Sequence, residues 1–580
     1  MMRAAAVAQR LGRQWDAIIV GGGHNGLVAA TYLAKVPTLE IRCFMQAHQA
    51  GKSVCVLEKR HLLGGAAVTE EIIPNFHFSR ASYVFSLFRP QIIRDLDLHR
   101  HGLESIRGLS GGLDMTSLVV YPRDPSSFTP LLNGKSLLLG SDMAANQASI
   151  AQFSKADAAN YPAYNAMLDR LVDFFIPLVD ELPPDLKVAL GPTSTLTARM
   201  DALRSLGHLG LRCTKLGSDI TTFLEFMTAP ADKILNKWFE SDVLKATLAT
   251  DAIIGAKLSP STPGSAYVLF HHIMGGVNGI KGTWGHVKGG MGGVTQALTK
   301  AAVEAGVHLE TDAAVTSIDV AQGRVVGVTL ASGEHVAAST VLSNASPSLT
   351  FLELVDRQYL PEDLLGHFEK AWNTESASTK INVALDALPN FTCAPNVGSE
   401  PMPHHRGTTH FEDSMTQIHD AYLDVQRGYS SKRPVIEMNI PTALDRTIAP
   451  PGKHIALLFV QYTPYLPKDG PWTDEKKAQF ADQVFSVIEQ YAPGFKNSIL
   501  GYDMLTPPDL ERIFSLPRGN IFHGAMGLDQ LFWLRPMSGY ADYRTPVPGL
   551  YLCSAGTHPG GGVMGACGRN AANVCLRDMP

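Results

Sequence analysis

No run of about 18 consecutive apolar residues occurs in this 580-residue chain, so no membrane-spanning helix is expected. Charge of one sign is missing too. The 49 Lys and Arg nearly balance 54 Asp and Glu, and a net charge of −5 gives no electrostatic footprint for nucleic acid. Cysteine is sparse and scattered: the residues at 43, 55, 213, 393, 553, 567 and 575 form no Cys-x-x-Cys pair and no metal-like cluster. That pattern argues against a secreted disulfide framework, a zinc site and a redox-active dithiol. What the chain has in plenty is glycine, with 52 residues, gathered densely at three places. At this length two or three domains are expected.

The first glycine site follows Asp16-Ala-Ile-Ile-Val20, a short apolar run that reads as a buried parallel strand. Leu27 to Lys35 then reads as a helix. Gly21-x-Gly23-x-x-Gly26 thus sits between strand and helix, the context in which the pattern signals dinucleotide binding. Gly21 permits the turn, Gly23 lets the backbone approach a pyrophosphate, and Gly26 lets helix pack on strand. The unpaired N–H groups of the helix start face the anion. The motif also calls for an acid at the end of the second strand, to accept hydrogen bonds from a ribose, and Glu58 closes Ser53-Val-Cys-Val-Leu. Glu58 lies 37 residues after Gly21, but removing the 14 residues Val36–Gln49 restores a spacing of 23. Residues 36–49 are therefore read as an insertion, either a surface loop or a splice feature. Lys59, Gly64, Gly65 and Ala66 follow as the next part of a cofactor cradle, where paired glycines suit close backbone approach.

From about 85 to 285 the strand–helix alternation stops. Helical patterns appear at Tyr164–Leu182 and Leu235–Leu248, and Leu171–Asp180 crowds its apolar residues around Asp173 and Pro177. That stretch fits a membrane-surface element, the wall of an apolar cavity, or the core of a cap domain. The second glycine cluster, Gly275–Gly293, carries Trp284 and His286. A helix at 294–305 and strands at 307–310, 314–319, 324–330 and 335–342 follow, read as an antiparallel meander and a return strand. Between 347 and 543 strands are expected at Lys380–Leu385, Val435–Ile440 and Ile455–Gln461, with a helix over Thr473–Tyr491 capped by Thr473. The third glycine site, Gly556-Thr-His558-Pro-Gly560-Gly-Gly-Val-Met-Gly565, lies between a strand and a closing helix. The first 15 residues hold Arg3, Arg10 and Arg13 and no acid, the composition of an organelle transit segment or of a basic tail.

One domain built from remote segments, with a second domain inserted twice, matches an α/β, glutathione-reductase-like two-domain flavoprotein. It would pair a Rossmann-type FAD domain with a discontinuous α+β substrate domain. The boundaries read as 1–15 transit segment, then 16–84, 286–346 and 544–580 for the FAD domain, with 85–285 and 347–543 for the substrate domain. The Asp16–Ala30 stretch, Glu58-Lys-Arg-His with Gly64-Gly-Ala-Ala-Val-Thr-Glu-Glu71, and Gly556-Thr-His-Pro-Gly-Gly-Gly-Val563 together resemble the phytoene desaturase/carotenoid isomerase-type FAD oxidoreductases over nearly the whole chain. Residues 36–49 depart from that pattern. The resemblance implies FAD as cofactor, with Gly21, Gly23 and Gly26 at the pyrophosphate and Glu58 at the adenosine ribose. It places the Val315 backbone at the adenine, and Gly556, Thr557, Gly562, Val563 and Met564 at the ribityl and isoalloxazine portion, where a helix start stabilises negative charge on a reduced flavin.

With no paired cysteines near these segments and no second Gly-x-Gly-x-x-Gly for a nicotinamide nucleotide, the electrons are expected from an organic substrate. The expected reaction is hydride transfer from a C–H to flavin, of oxidase, desaturase or isomerase type, on an apolar small molecule. His558 and His286 are the candidates to manage a proton. Arg80 and Tyr83 would steer substrate, or Arg80 would form an ordinary surface ion pair. Two alternatives stand beside this reading: an amine-oxidising flavoenzyme, which an aromatic pair facing the flavin would favour, and a flavin-binding regulatory or assembly partner of a mitochondrial complex. Mitochondrial residence and peripheral membrane contact complete the expectations.

Overall fold

The computed structural model describes residues 11–35, 51–104, 118–184, 186–191, 196–277 and 279–579. The insertion read at 36–49 and the first ten residues of the transit segment lie outside the described residues. Leu11 and Trp15, assigned by sequence to that segment, are buried in the core, and Trp15 N–H donates to the Ala337 carbonyl at 3.0 Å. The end of the 1–15 stretch therefore belongs to the folded domain.

Five short strands form one parallel sheet: β1 (Ala17–Val20), β2 (Val54–Leu57), β3 (His308–Glu310), β4 (Val341–Ser343) and β5 (Leu550–Leu552). Their order is β3-β2-β1-β4-β5, with Ile18 opposite both Cys55 and Val341. This is the dinucleotide-binding order, with the crevice where the order reverses beside β1. Three helices cover one face: α1 (His24–Ala34), α2 (Gly292–Glu304) and α3 (Ala566–Asp578). Ala17, Ile19, Val54, Val56 and Leu342 point toward them, while Ile18, Val20, Cys55, Leu57, Val341 and Leu550 point to the opposite core. With both faces covered, the strands have no polar side to spare and read as uninterrupted apolar runs.

That opposite face carries the meander, Val315–Ala321, Arg324–Leu330 and His335–Ala337, paired antiparallel. The strand expected at 307–310 is not part of it. As β3 it follows α2 and pairs in parallel with β2, Leu309 opposite Val56, because a helical crossover returns the chain to a parallel neighbour.

A second sheet of seven strands holds Ser378–Leu385 between Ile499–Leu505 and His454–Gln461. It continues through Val435–Asn439, Thr408–His410, Ser127–Pro130 and Ser136–Leu139. The helix Asp474–Tyr491 packs on this sheet, and the Thr473 hydroxyl caps it by accepting from the Lys476 N–H at 3.2 Å. The crowded stretch at Leu171–Asp180 forms the end of the helix Lys155–Val179, with Asp180 just past it. Leu171, Val172, Phe175 and Val179 are buried there with Phe223, Phe226 and Phe270, so the stretch is the core of a helical cap. Among the described residues no helix is long and apolar enough to cross a membrane.

The two ends of the chain meet through bare backbone. A Cβ on Gly568 of α3 would stand 2.1 Å from the Asn25 carbonyl of α1, and one on Gly26 would stand 2.3 Å from the Gly21 carbonyl. Gly568→Val should therefore force α3 off α1 and cost about 1–3 kcal/mol or more. Thermal unfolding checks this; a midpoint equal to that of the native chain would contradict the packing described.

Candidate functional site

At the carboxyl ends of β1 and β2 the chain opens into a cavity of about 560 Å³ that runs from the sheet's crevice to the face of the second sheet. Its first half is built from backbone. Gly21, at φ +97°, turns the chain out of β1, and Gly23 caps α1 with no side-chain acceptor and no acid in the first turn. Free N–H groups of the helix start are thus presented to the cavity. Gly65, at φ +59°, lies against Gly23, where an added Cβ would sit 3.1 Å from the Gly23 Cα. Gly64 N–H donates to the Gly22 carbonyl at 2.8 Å. Two glycine turns stacked in this way bring bare backbone to the wall of the groove. A Cβ on Gly23 itself would approach Asn344 Nδ2 to 2.8 Å. Glu58 is buried and fixed: its Oε2 accepts from Gly22 N–H at 2.8 Å and its Oε1 from Arg60 N–H at 2.9 Å, with lone pairs left for hydroxyls. Lys59 reaches Ser515 Oγ at 2.5 Å.

Of the residues expected at the cofactor, Gly21, Gly23, Glu58, Lys59, Gly65, Ala66, Val315, Gly562 and Val563 line this one cavity. Gly26 and Gly64 do not line it: Gly26 packs on the Gly21 carbonyl and Gly64 on Thr295 and Val68. Gly556, Thr557 and Met564 do not line it. A Cβ on Gly556 would strike Pro347 at 2.2 Å, the Thr557 hydroxyl donates to the Ser554 carbonyl at 2.8 Å, and Met564 is buried in the cap's core. The amino-terminal, meander and carboxy-terminal segments therefore converge on one space. Bare backbone, a helix start and a carboxylate at the end of β2 fit the pyrophosphate and ribose of FAD.

The proposed proton-handling histidines are not brought to the cavity. His558 is buried, stacks on Phe532 and hydrogen-bonds through Nε2 to the Leu178 carbonyl at 2.9 Å, and burial pulls its pKa down to about 4. A side chain spent on joining the cap helix to the terminal turn is a structural tie. His286 lies on the strand Gly285–Val287, buried, its Nε2 unpartnered and its pKa drawn down to about 3 by burial. It faces Tyr83 from the side away from the cavity. Arg80 is held between Glu70 and Asp503, each at 3.2 Å, in a largely buried ion network, while Tyr83 does line the cavity and its hydroxyl reaches Glu437 at 3.3 Å.

Residues that the sequence reading passed over supply the polar groups of the second half. Lys380, from the strand next to one edge of the second sheet, opens onto the cavity; its Nζ donates to Asn382 Oδ1 at 2.6 Å and lies 5.0 Å from the Tyr83 ring centre. Burial pulls its pKa from 10.5 down to about 7, against an opposing pull from Asp503. His272 and Trp284 stack with ring centres 6.2 Å apart, and burial lowers the His272 pKa. Around them the wall is apolar: Val84, Leu87, Ile254, Phe459, Ile521 and Phe522. Tyr83 and Phe459 form an aromatic pair 6.1 Å apart beside Lys380. The signal for Lys380 was in the sequence: Lys380 and Asn382 alternate with Ile381 and Val383, in a strand that the structure buries along its whole length.

Together the fold and the site define an α/β oxidoreductase of amine-oxidase-like architecture with a Rossmann-type FAD domain. Residues 19–97 match the family model of an NAD(P)-binding Rossmann-like domain, and residues 214–375 that of flavin containing amine oxidoreductase. The chain is 49% identical to pyridine nucleotide-disulfide oxidoreductase domain-containing protein 2 of Mus musculus, over 98% of this chain and 94% of that protein, and it belongs to that family. It is also similar to phytoene desaturase (lycopene-forming) of Pseudescherichia vulneris, 23% identical over 97% of this chain and 99% of the other. Cyclohexylamine oxidase from Brevibacterium oxydans IH-35A shares the fold at a TM-score of 0.52 and 13% identity, covering 98% of this chain and 99% of that one.

Lys380 makes a testable imprint on stability. Its folded pKa, about 7, lies below its unfolded value, so the unfolded chain binds more protons between about pH 7 and 10. Stability should rise with pH across that window, and the penalty for burying the charge should be fully present below it. Lys380→Met should flatten the rise. Urea midpoints of both proteins measured against pH test this, and equal slopes would contradict a buried, neutralised lysine.

Proposed function

We propose that this chain oxidises an apolar small molecule by removing a hydride and a proton from it, with the apolar half of the cavity holding the substrate and Lys380 receiving the proton. The observation that carries the reading is the continuity of one cavity from the glycine turns of α1 to Lys380. Bound along the first half, FAD supplies the hydride acceptor. Gly21, Gly23 and Gly65 would hold its pyrophosphate against the helix start, Glu58 its ribose, and Gly562 with Val563 its far end. The walls from Val84, Leu87, Ile254 and Phe522 exclude water and orient a hydrophobic body. Above about pH 7 Lys380 is neutral and has a lone pair for the proton; below it the ammonium is already full. We read the whole arrangement as glutathione-reductase-like, supported by a parallel sheet fed from both chain ends, and mitochondrial residence as favoured by Arg3 and Arg10 in an acid-free leading stretch.

A second reading, oxidation of an amine, draws on the Tyr83–Phe459 pair flanking Lys380. A third, a flavin-binding partner of a mitochondrial complex, predicts no turnover. Anaerobic titration of the purified protein with apolar hydrocarbons, alcohols and amines distinguishes them, because the substrate class is the one that bleaches the flavin absorbance. The rate of bleaching should climb with pH through about 7, and Lys380→Met should lose that limb and fall by at least about 100-fold. Absorbance unchanged by every class, with a stoichiometric protein partner co-purifying, would favour the third reading over the first.

A further inference from the structure

The Gly21–Gly26 turn carries two polar side chains that the dinucleotide motif does not ask for, His24 and Asn25, and both line the cavity. Asn25 is 3% exposed and its Oδ1 has no hydrogen-bond partner. Another wall of the same cavity holds His523, whose Nδ1 is buried and equally unpartnered. His523 sits at φ +60°, a left-handed conformation uncommon outside glycine but one that histidine shares with asparagine and aspartate. The turn is held in place. Arg535 donates to the carbonyls on both sides, Phe522 at 2.6 Å and Gly524 at 3.3 Å, while Asn520 Oδ1 accepts from the N–H groups of the same two residues. His24 and His523 thus line the same cavity from two walls, beside the free N–H groups of α1, where a ligand that brings anionic acceptors would meet both rings.

We infer that His24 and His523, which line one cavity from opposite segments, form a two-imidazole clamp on the pyrophosphate of FAD; the inference rests on the FAD assignment above. Burial pulls both imidazoles toward the neutral form, His24 to about 4 and His523 to about 3, and a neutral ring already offers one N–H donor to a phosphate oxygen, while the charge of a bound phosphate opposes that shift. The clamp reaches across from the first Rossmann turn to the loop at 520–526. It thereby ties cofactor retention to the loop that also carries Phe522 of the substrate wall.

Glycine suits the backbone at 523, so His523→Gly removes the imidazole without new strain, and His523→Asn keeps a donor in a residue that tolerates the same φ. The apoproteins of these variants and of His24→Ala are titrated with FAD and, separately, with riboflavin, which lacks the pyrophosphate; flavin fluorescence reads the binding. His523→Gly and His24→Ala should each weaken FAD about tenfold, and riboflavin less than twofold, while His523→Asn recovers most of the FAD affinity. FAD affinities equal to that of the native chain, or riboflavin weakened as much as FAD, would overturn the clamp. In either case a native chain that binds FAD leaves the flavoenzyme reading standing, whereas a native chain that binds none removes both.

Discussion

Backbone against backbone, at the amino end of α1, is the contact on which the rest of this structure depends. Gly26 rides on the Gly21 carbonyl, Gly65 on Gly23, and Gly568 on the Asn25 carbonyl. The contacts at Gly26 and Gly568 exclude a Cβ and that at Gly65 leaves it little room, and together they bring three parts of the chain within van der Waals reach of one helix end. The consequence is chemical as well as steric. A helix start with no capping side chain and no acid in its first turn keeps its positive pole unspent. The glycines let an anion come close enough to use it.

The substrate half is tied to this cradle by a buried cation. Arg535 is fully buried and donates to six carbonyls, those of Phe522, Gly524, Ala525, Gln530, Ala555 and Thr557. A guanidinium out of water is tolerable only when its donors are matched, and here the matching groups belong to two segments, the 522–530 loop and the terminal glycine turn. Burial still draws its pKa down to about 10. The carboxy-terminal piece of the FAD domain and the wall of the substrate cavity are therefore positioned by one side chain. His558 adds a second tie from the same turn to the cap helix at Leu178.

The cradle was largely legible in the amino-acid sequence because its signals are local. A strand, a glycine turn and a helix are adjacent in the chain, and Glu58 closes the next strand. The meander showed itself through Gln322-Gly323 and Ser332-Gly333. What could not be read was which way a side chain faces once remote segments meet. His558 in its Thr-His-Pro turn was expected beside the cofactor and instead points to a cap helix 380 residues away. His286 is one strand position in a two-sided sheet, and local pattern does not say which side is the cavity. Lys380 left a faint trace as a cation inside a buried strand, while Trp284 and His523 lie outside helix and strand and His272 sits in a helix, Ser265–Ile273, buried on all sides, where no period singles it out. Their roles come from the second sheet and the loops closing over the first, which is tertiary information.

The central claim is that bare backbone at Gly23 is what admits the cofactor, and flavin content measures it most directly. The native chain, purified and denatured, should release stoichiometric FAD, and Gly23→Trp, shown by circular dichroism to be folded, should release none. Stoichiometric FAD from the folded tryptophan variant would contradict the account.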